Sequence, residues 1–231
     1  MTWVKICGIT NVEDALTAVK AGADAIGFVF YQKSSRKMDS ETAQEIVGAL
    51  PREVEKVGVF VNESPEHMES VAQRVGLTAI QLQVEGSFMR DQELQGMTPS
   101  ENLNHYIALP VSYFLEGEGR FDSFALSLRK GEANEWVSAI FLDSGTPQQI
   151  GGTGCTFNWQ RSIAVAEAVK QAGFNLVVAG GLNPANVTEA IRILKPWGVD
   201  VSSGVESKPG KKDPARVRAF VDAVRHSEEV A

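Results

Sequence analysis

Ala21-Gly22-Ala23-Asp24-Ala25-Ile26-Gly27-Phe28 reads as a helix tail, a glycine at the left-handed cap position and then a short apolar strand. The same join returns at Val75-Gly76-Leu77-Thr78-Ala79-Ile80-Gln81-Leu82, at Ala172-Gly173-Phe174-Asn175-Leu176-Val177-Val178 and at Trp197-Gly198-Val199-Asp200-Val201. Four joins of one shape imply repeated βα units and a parallel sheet. Working outward, strands are expected at residues 4–9, 25–30, 56–62, 79–83, 105–111, 138–143, 175–179 and 199–203. Amphipathic helices are expected at 13–21, 41–50, 65–75, 160–172, 184–194 and 214–226. Asn183-Pro184 and Asp213-Pro214 place a capping side chain before a proline at the first helical position, with Ser64-Pro65 and Asp39-Ser40 as weaker versions.

Eight such units in 231 residues predict an α/β protein, a (β/α)8 TIM barrel forming a single domain over 1–231. An open doubly wound sheet would want a GxGxxG run after the first strand, and Lys5-Ile6-Cys7-Gly8-Ile9-Thr10 has none. Residues 88–104 and 113–136 lack a clean helical period and read as irregular or shortened helices of the outer ring.

A hydrophobic fraction of 43% beside 22% charged residues is that of a globular protein able to bury a full core. The net charge of −7 without a basic tract argues against nucleic acid as a partner, so a phosphorylated small molecule would need a local site. Cys7 and Cys155 have neither CxxC nor metal-ligand spacing, which favours two reduced thiols over a disulfide and gives no metal site. The amino terminus enters a strand directly, and no apolar run approaches the roughly 20 residues that span a bilayer. These features predict a soluble cytoplasmic protein with no membrane partner.

In a barrel of this kind the active site lies where the strands end and the βα loops begin. Strand one ends at Cys7-Gly8, strand two leads to Ser34-Ser35-Arg36, and strand six ends at Asp143-Ser144. Strand seven ends at Gly180-Gly181 and strand eight at Ser202-Ser203-Gly204-Val205. Lys5 and Cys7 share one face of their strand, and a neighbouring lysine lowers a thiol's pKa. The plainer alternative is a small buried hydrophobe, which is what most free cysteines are. Lys5 also needs an acidic partner, and Asp200 is the candidate because closure makes strands one and eight neighbours.

Burial behind Ile140-Phe141-Leu142 raises the Asp143 carboxyl toward the range of an acid at neutral pH. Half-protonation at pH 7 needs a shift of about 3 units, roughly 4 kcal/mol. Its alternative role is to cap the next turn. The loops holding Gly180, Gly181, Ser203 and Gly204 read as a phosphate cradle, because glycine lets backbone N–H groups approach an anion. The alternative for the glycine pair is a turn into the helix capped by Asn183. Gly151-Gly152-Thr153-Gly154 reads as a lid loop or a second anion contact.

Five ordered motifs together resemble the phosphoribosylanthranilate isomerase family. They are Lys5-Ile6-Cys7-Gly8-Ile9-Thr10; Phe141-Leu142-Asp143-Ser144; Gly151-Gly152-Thr153-Gly154 with Phe157-Asn158-Trp159; Ala179-Gly180-Gly181-Leu182-Asn183-Pro184; and Gly198-Val199-Asp200-Val201-Ser202-Ser203-Gly204-Val205-Glu206. The resemblance spans the chain and implies the Amadori rearrangement of N-(5-phosphoribosyl)anthranilate in tryptophan biosynthesis, without metal or organic cofactor. By analogy, Asp143 is the general acid that opens the furanose ring and Cys7 the general base at C2′. Arg36 would hold the anthranilate carboxylate, or else belong to an exposed basic loop with Lys33 and Lys37.

The sequence departs from the family at three places: Gln83 stands where the family usually has a histidine, Ser35 where it usually has a proline, and residues 113–136 are less helical than the resemblance implies. A related isomerase of histidine biosynthesis would carry an aspartate where this chain has Cys7. A non-catalytic phosphosugar-binding barrel is the rival of another class, which the presence of both Cys7 and Asp143 argues against. A monomer is expected, with a homodimer as the alternative.

Overall fold

The computed structural model describes residues 1–83, 103–115, 137–145 and 155–229. Eight strands close into one barrel in sequence order: β1 (Trp3–Ile6), β2 (Ala25–Val29), β3 (Glu55–Val61), β4 (Ala79–Gln83), β5 (Asn104–Pro110), β6 (Val137–Asp143), β7 (Asn175–Val178) and β8 (Gly198–Val201). Every neighbouring pair is parallel, and β1 closes onto β8 with Lys5 opposite Asp200. A parallel barrel needs a crossover between successive strands, and helices supply the covering layer. Outside the strands lie α1 (Val12–Ala21), α2 (Ser40–Gly48), α3 (Pro65–Val75), α4 (Ser112–Leu115), α5 (Ile163–Gln171), α6 (Val187–Leu194) and α7 (Pro214–Glu229).

Two apolar layers follow from the alternation of side chains along each strand. Ile6, Ile26, Phe28, Phe60, Ile80, Ile107, Ile140 and Val199 point outward into the large core beneath the helices. Ala25, Val57, Ala79, Tyr106, Ala108, Ala139, Phe141, Val177 and Ala179 form a smaller cluster inside the barrel. Small residues dominate there because eight strands leave little room at the axis. Trp3 stacks on Trp197, at 5.1 Å between ring centroids, and meets Tyr106 and Phe141 edge-on, plugging the end away from the strands' carboxyl termini.

The glycine joins behave as the sequence predicts at α1 and α3. Gly22 (φ 98°) and Gly76 (φ 79°) adopt the left-handed cap and donate back into the last helical turn. The fourth join differs: Lys195 (φ 45°) is the left-handed cap of α6, while Gly198 opens β8. A Cβ at Gly198 would lie 2.9 Å from the Trp3 ring, so this glycine makes room for the aromatic plug.

The helix expected at 184–194 starts later, at Val187. Asn183 N–H donates to the Asn186 side chain, whose amide donates to the Gly181 carbonyl, and this closes a separate turn over residues 184–186. The helix expected at 160–172 divides into a 3-10 turn (Gln160–Ser162) and α5. A short antiparallel hairpin of β9 (Glu206–Lys208) and β10 (Lys211–Lys212) follows β8 and was not anticipated. Of the two stretches without a helical period, Asn104 belongs to β5 and α4 reaches Leu115, while the rest of both lies outside the described residues.

Candidate active site

β1 delivers Lys5 into the barrel and Cys7 just beyond the strand's carboxyl end, both buried. Gly27 on β2 leaves the space: a Cβ there would sit 2.8 Å from Cys7 Sγ and 2.9 Å from Lys5 Cε. The chain then turns at Gly8 (φ 71°), a left-handed conformation that glycine adopts without strain. Lys5 Nζ donates to Asp200 Oδ1 at 3.0 Å across the β1–β8 seam, the neighbour that closure of the barrel provides. The same ammonium stands 5.5 Å from the centre of the Phe141 ring on β6. Lys5 is wholly buried, so removing Asp200 would strand a charge at a loss of about 3–5 kcal/mol. Burial works against the Lys5 ammonium, but Asp200 and Cys7 outweigh it and its pKa is raised.

Two residues beyond Phe141, at the next inward position, β6 ends at Asp143. Burial pushes the Asp143 carboxyl up to about 6, and the Asp200 charge adds to the shift. The Gly145 amide, donating to Asp143 Oδ1 at 2.7 Å, and the Lys5 ammonium oppose it. That shift falls short of half-protonation at pH 7, because those two groups stabilise the anion. The hydrogen bond to Gly145 is also a turn-capping contact, so the raised carboxyl and the capping contact coexist in this aspartate.

For Cys7 the direction differs from expectation. Burial raises the thiol above its ordinary value, and Asp200 reinforces this. Lys5 and Lys212 pull the other way without prevailing, because Lys5 is already neutralised by Asp200. Cys7 and Asp143 therefore respond to the same Lys5–Asp200 pair and stand at one end of one barrel.

Arg36 reaches this mouth from the loop after β2. A Cβ on Gly8 would lie 2.5 Å from Arg36 Cδ, so the arginine stem crosses the residue next to Cys7. Its guanidinium is half-buried and clamped to a carboxylate, not free in a solvated basic loop: Nε meets Glu206 Oε1 at 2.8 Å and Nη2 meets Glu206 Oε2 at 2.7 Å. Glu206 Oε1 also accepts from Lys212 Nζ at 2.8 Å, and Lys212 donates to the Ser202 carbonyl at 3.2 Å. Burial alone would raise Glu206, but Arg36 and Lys212 hold its carboxyl below the usual range.

Sequence reasoning missed Glu206 and Lys212 as members of the site. Glu206 ends the small-residue motif after β8, and a charge next to such a loop was the signal available. Lys212 resembles a surface lysine, yet it is almost fully buried.

Gly180 (φ 79°) and Gly181 (φ 65°) follow β7, and Ser203 and Gly204 follow β8 in a 3-10 turn (Ser203–Val205). A side chain at Gly180 would overlap Ser144, one at Gly181 the Cys155 carbonyl, and one at Gly204 the Leu182 carbonyl. Close packing of three loops thus requires glycine at these positions whatever binds there. Among the described residues, the buried hydroxyls of Ser144 and Ser202 have no hydrogen-bond partner, nor does Gln81 Oε1 on the barrel's inner face. Gln83, where the family carries histidine, ends β4 half-buried.

The lid residues Gly151, Gly152, Thr153 and Gly154 lie outside the described residues. Cys7 is buried and Cys155 exposed, and neither is held in a disulfide. Among the described residues no group of three or more His, Cys, Asp or Glu side chains is placed to hold a metal ion, and no helix is long and apolar enough to cross a membrane.

Residues 4–223 match the family described as N-(5'phosphoribosyl)anthranilate (PRA) isomerase. The N-(5'-phosphoribosyl)anthranilate isomerase of Geotalea uraniireducens is 42% identical over 221 residues, covering 96% of this chain and 97% of its own length. The crystal structure of phosphoribosyl anthranilate isomerase from Thermotoga maritima superposes with a TM-score of 0.80 at 41% identity, covering 98% of this chain and all of that one. A second structure of such an enzyme, in complex with reduced 1-(o-carboxyphenylamino)-1-deoxyribulose 5-phosphate, gives a TM-score of 0.77 at 40% identity, with coverage of 98% and 100%. With a barrel closed in the same order and a match running almost end to end, the chain belongs to the N-(5'-phosphoribosyl)anthranilate isomerase family.

Proposed function

We propose that this protein converts N-(5'-phosphoribosyl)anthranilate to 1-(2-carboxyphenylamino)-1-deoxyribulose 5-phosphate, an Amadori rearrangement in tryptophan biosynthesis. The observation that carries the residue assignment is the pairing, at one barrel mouth, of a carboxyl raised to about 6 with a buried thiol, both coupled to Lys5 and Asp200. Asp143 gives its proton to the furanose ring oxygen, and the C1′–O bond breaks as the anilino nitrogen's lone pair forms the C=N bond of a Schiff base. Cys7, as thiolate, removes the proton from C2′, and those electrons form the enolamine that tautomerises to the ketone. Each step moves protons and electron pairs within one substrate, so neither a metal nor an organic cofactor is required.

Lys5 keeps the developing charge on Cys7 compensated, and Asp200 keeps Lys5 in place. The glycine-only turns at Gly180, Gly181 and Gly204, with the unpartnered Ser144 and Ser202 hydroxyls beside them, support a phosphate site, since N–H groups of a tight loop are ready anion donors. A catalytic thiol needs a reducing compartment, which supports the cytoplasm.

The test is rescue of a tryptophan auxotroph lacking this isomerase, run beside a histidine auxotroph. Rescue of the first alone is expected, and failure with well-folded protein would overturn the proposal.

Arg36 retains three N–H bonds that meet no described residue, and these are assigned to the anthranilate carboxylate. Arg36→Ala should raise KM about 10- to 100-fold, the scale of a charge-assisted hydrogen bond, and lower kcat much less. An unchanged KM in steady-state assays would remove Arg36 from the carboxylate site.

A further inference from the structure

Arg36 is a long side chain whose selectivity depends on which edge of its planar fork is presented. Glu206 occupies the Nε/Nη2 edge through two hydrogen bonds of 2.8 and 2.7 Å, which fixes the plane and rotation of the guanidinium. The opposite Nη1/Nη2 edge, also suited to two parallel bonds with a carboxylate, makes no bond to any described residue. Glu206 is itself held in place. Lys212 Nζ binds its Oε1, the Gly210 amide approaches the same oxygen at 3.4 Å, and Arg216 Nη1 donates to the Glu206 carbonyl at 2.6 Å. Lys212 is anchored in turn by its own backbone N–H, which donates to Asp14 Oδ2 at 2.7 Å. A buried carboxylate gripped by one buried and one half-buried cation, next to a strand end that leads to Cys7, is more machinery than a seven-residue hairpin needs for folding.

We infer that Glu206 is a positioning residue that turns the free edge of Arg36 toward the substrate carboxylate, with Lys212 as its buried counter-charge. This rests on the isomerase reading above. The carboxyphenyl end of the ligand thereby depends on a residue that need not touch it, and the phosphate end does not.

The experiment uses Glu206→Gln, which keeps the shape but turns an N–H toward one of the arginine donors. KM should rise about tenfold with a smaller loss in kcat. By calorimetry, reduced 1-(o-carboxyphenylamino)-1-deoxyribulose 5-phosphate should bind about tenfold more weakly, while ribose 5-phosphate, which lacks the carboxyphenyl group, binds as to the parent protein. A merely structural role would weaken both ligands alike. The double variant Arg36→Ala/Glu206→Gln should have the KM of Arg36→Ala alone, because Glu206 acts through Arg36.

Equal weakening of both ligands, additive effects in the double variant, or an unchanged KM would each overturn the inference. Should Glu206→Gln fail to fold, Glu206→Asp keeps the charge for Lys212 but draws it back from Arg36, and the same selective rise in KM is expected. Parent protein that neither turns over N-(5'-phosphoribosyl)anthranilate nor binds the reduced ligand would refute the isomerase reading itself, a result distinct from an active parent with an indifferent Glu206 variant.

Discussion

Cys7→Ala lowers kcat by roughly 10²–10⁴-fold, the usual contribution of a positioned general base, and leaves affinity for the reduced carboxyphenylamino ligand within a few-fold of the parent. The argument is geometric. Sγ is the only group lost, it packs against Gly27, and Lys5 is the only titratable side chain on β1 itself. Lys5 remains protonated beside Asp200 and cannot take over proton abstraction.

Alanine leaves the Lys5–Asp200 pair in place and removes a thiol whose ionisation burial opposes, so the fold should keep its melting temperature. In the proposed function, ligand binding falls to Arg36 and the loops after β7 and β8, none of which the substitution replaces. Steady-state kinetics with calorimetry on the same preparation separates the two effects. Parent-like turnover from Cys7→Ala would end the base assignment, and a matching loss of ligand binding would show a collapsed site.

What the sequence made legible here was whatever is local. A glycine between a helix tail and an apolar run has one cheap explanation, the left-handed cap, and Gly22 and Gly76 adopt it. Counting such joins gave the barrel, and closure of the barrel then put Lys5 against Asp200 without any further information. Where a motif had two local solutions the reading went astray: Asn183-Pro184 suits a helix start and a free-standing turn equally, and the Asn186 side chain decides for the turn. The partner of Arg36 lies 170 residues away in a hairpin that no periodicity announces, so Glu206 was invisible as a site residue. The direction of the Cys7 shift was missed for a related reason. A lysine two residues away is visible in sequence, but its neutralisation by Asp200 and the depth of burial are properties of the closed barrel.

Asp143→Asn removes the acid and changes the shape of the pH profile as well as its height. In the proposed mechanism the parent's reactive form has Asp143 protonated and Cys7 ionised. Below about 6, Asp143 already holds its proton, and raising the pH only increases the thiolate, so kcat/KM rises about tenfold per pH unit. Between that value and the raised pKa of Cys7, each gain in thiolate is matched by an equal loss of protonated Asp143, so the rate is flat. Above the thiol's pKa the thiolate is complete while the acid continues to empty, so the rate falls. The limb near pH 6 therefore belongs to the acid, although it has the form of a base being uncovered. At pH 7 roughly a tenth of Asp143 is protonated, which is enough to sustain turnover because the proton returns in every cycle. Asparagine cannot protonate the ring oxygen, so kcat drops by roughly 10²–10⁴-fold. What remains depends on Cys7 alone and climbs with pH straight through the region where the parent is flat. Ionisation of the substrate phosphate is common to both proteins and cancels in their ratio, which should fall as pH rises from 6 to 8 for the parent relative to Asp143→Asn. A pH-independent ratio across that interval would mean that Asp143 is not the group that donates the proton.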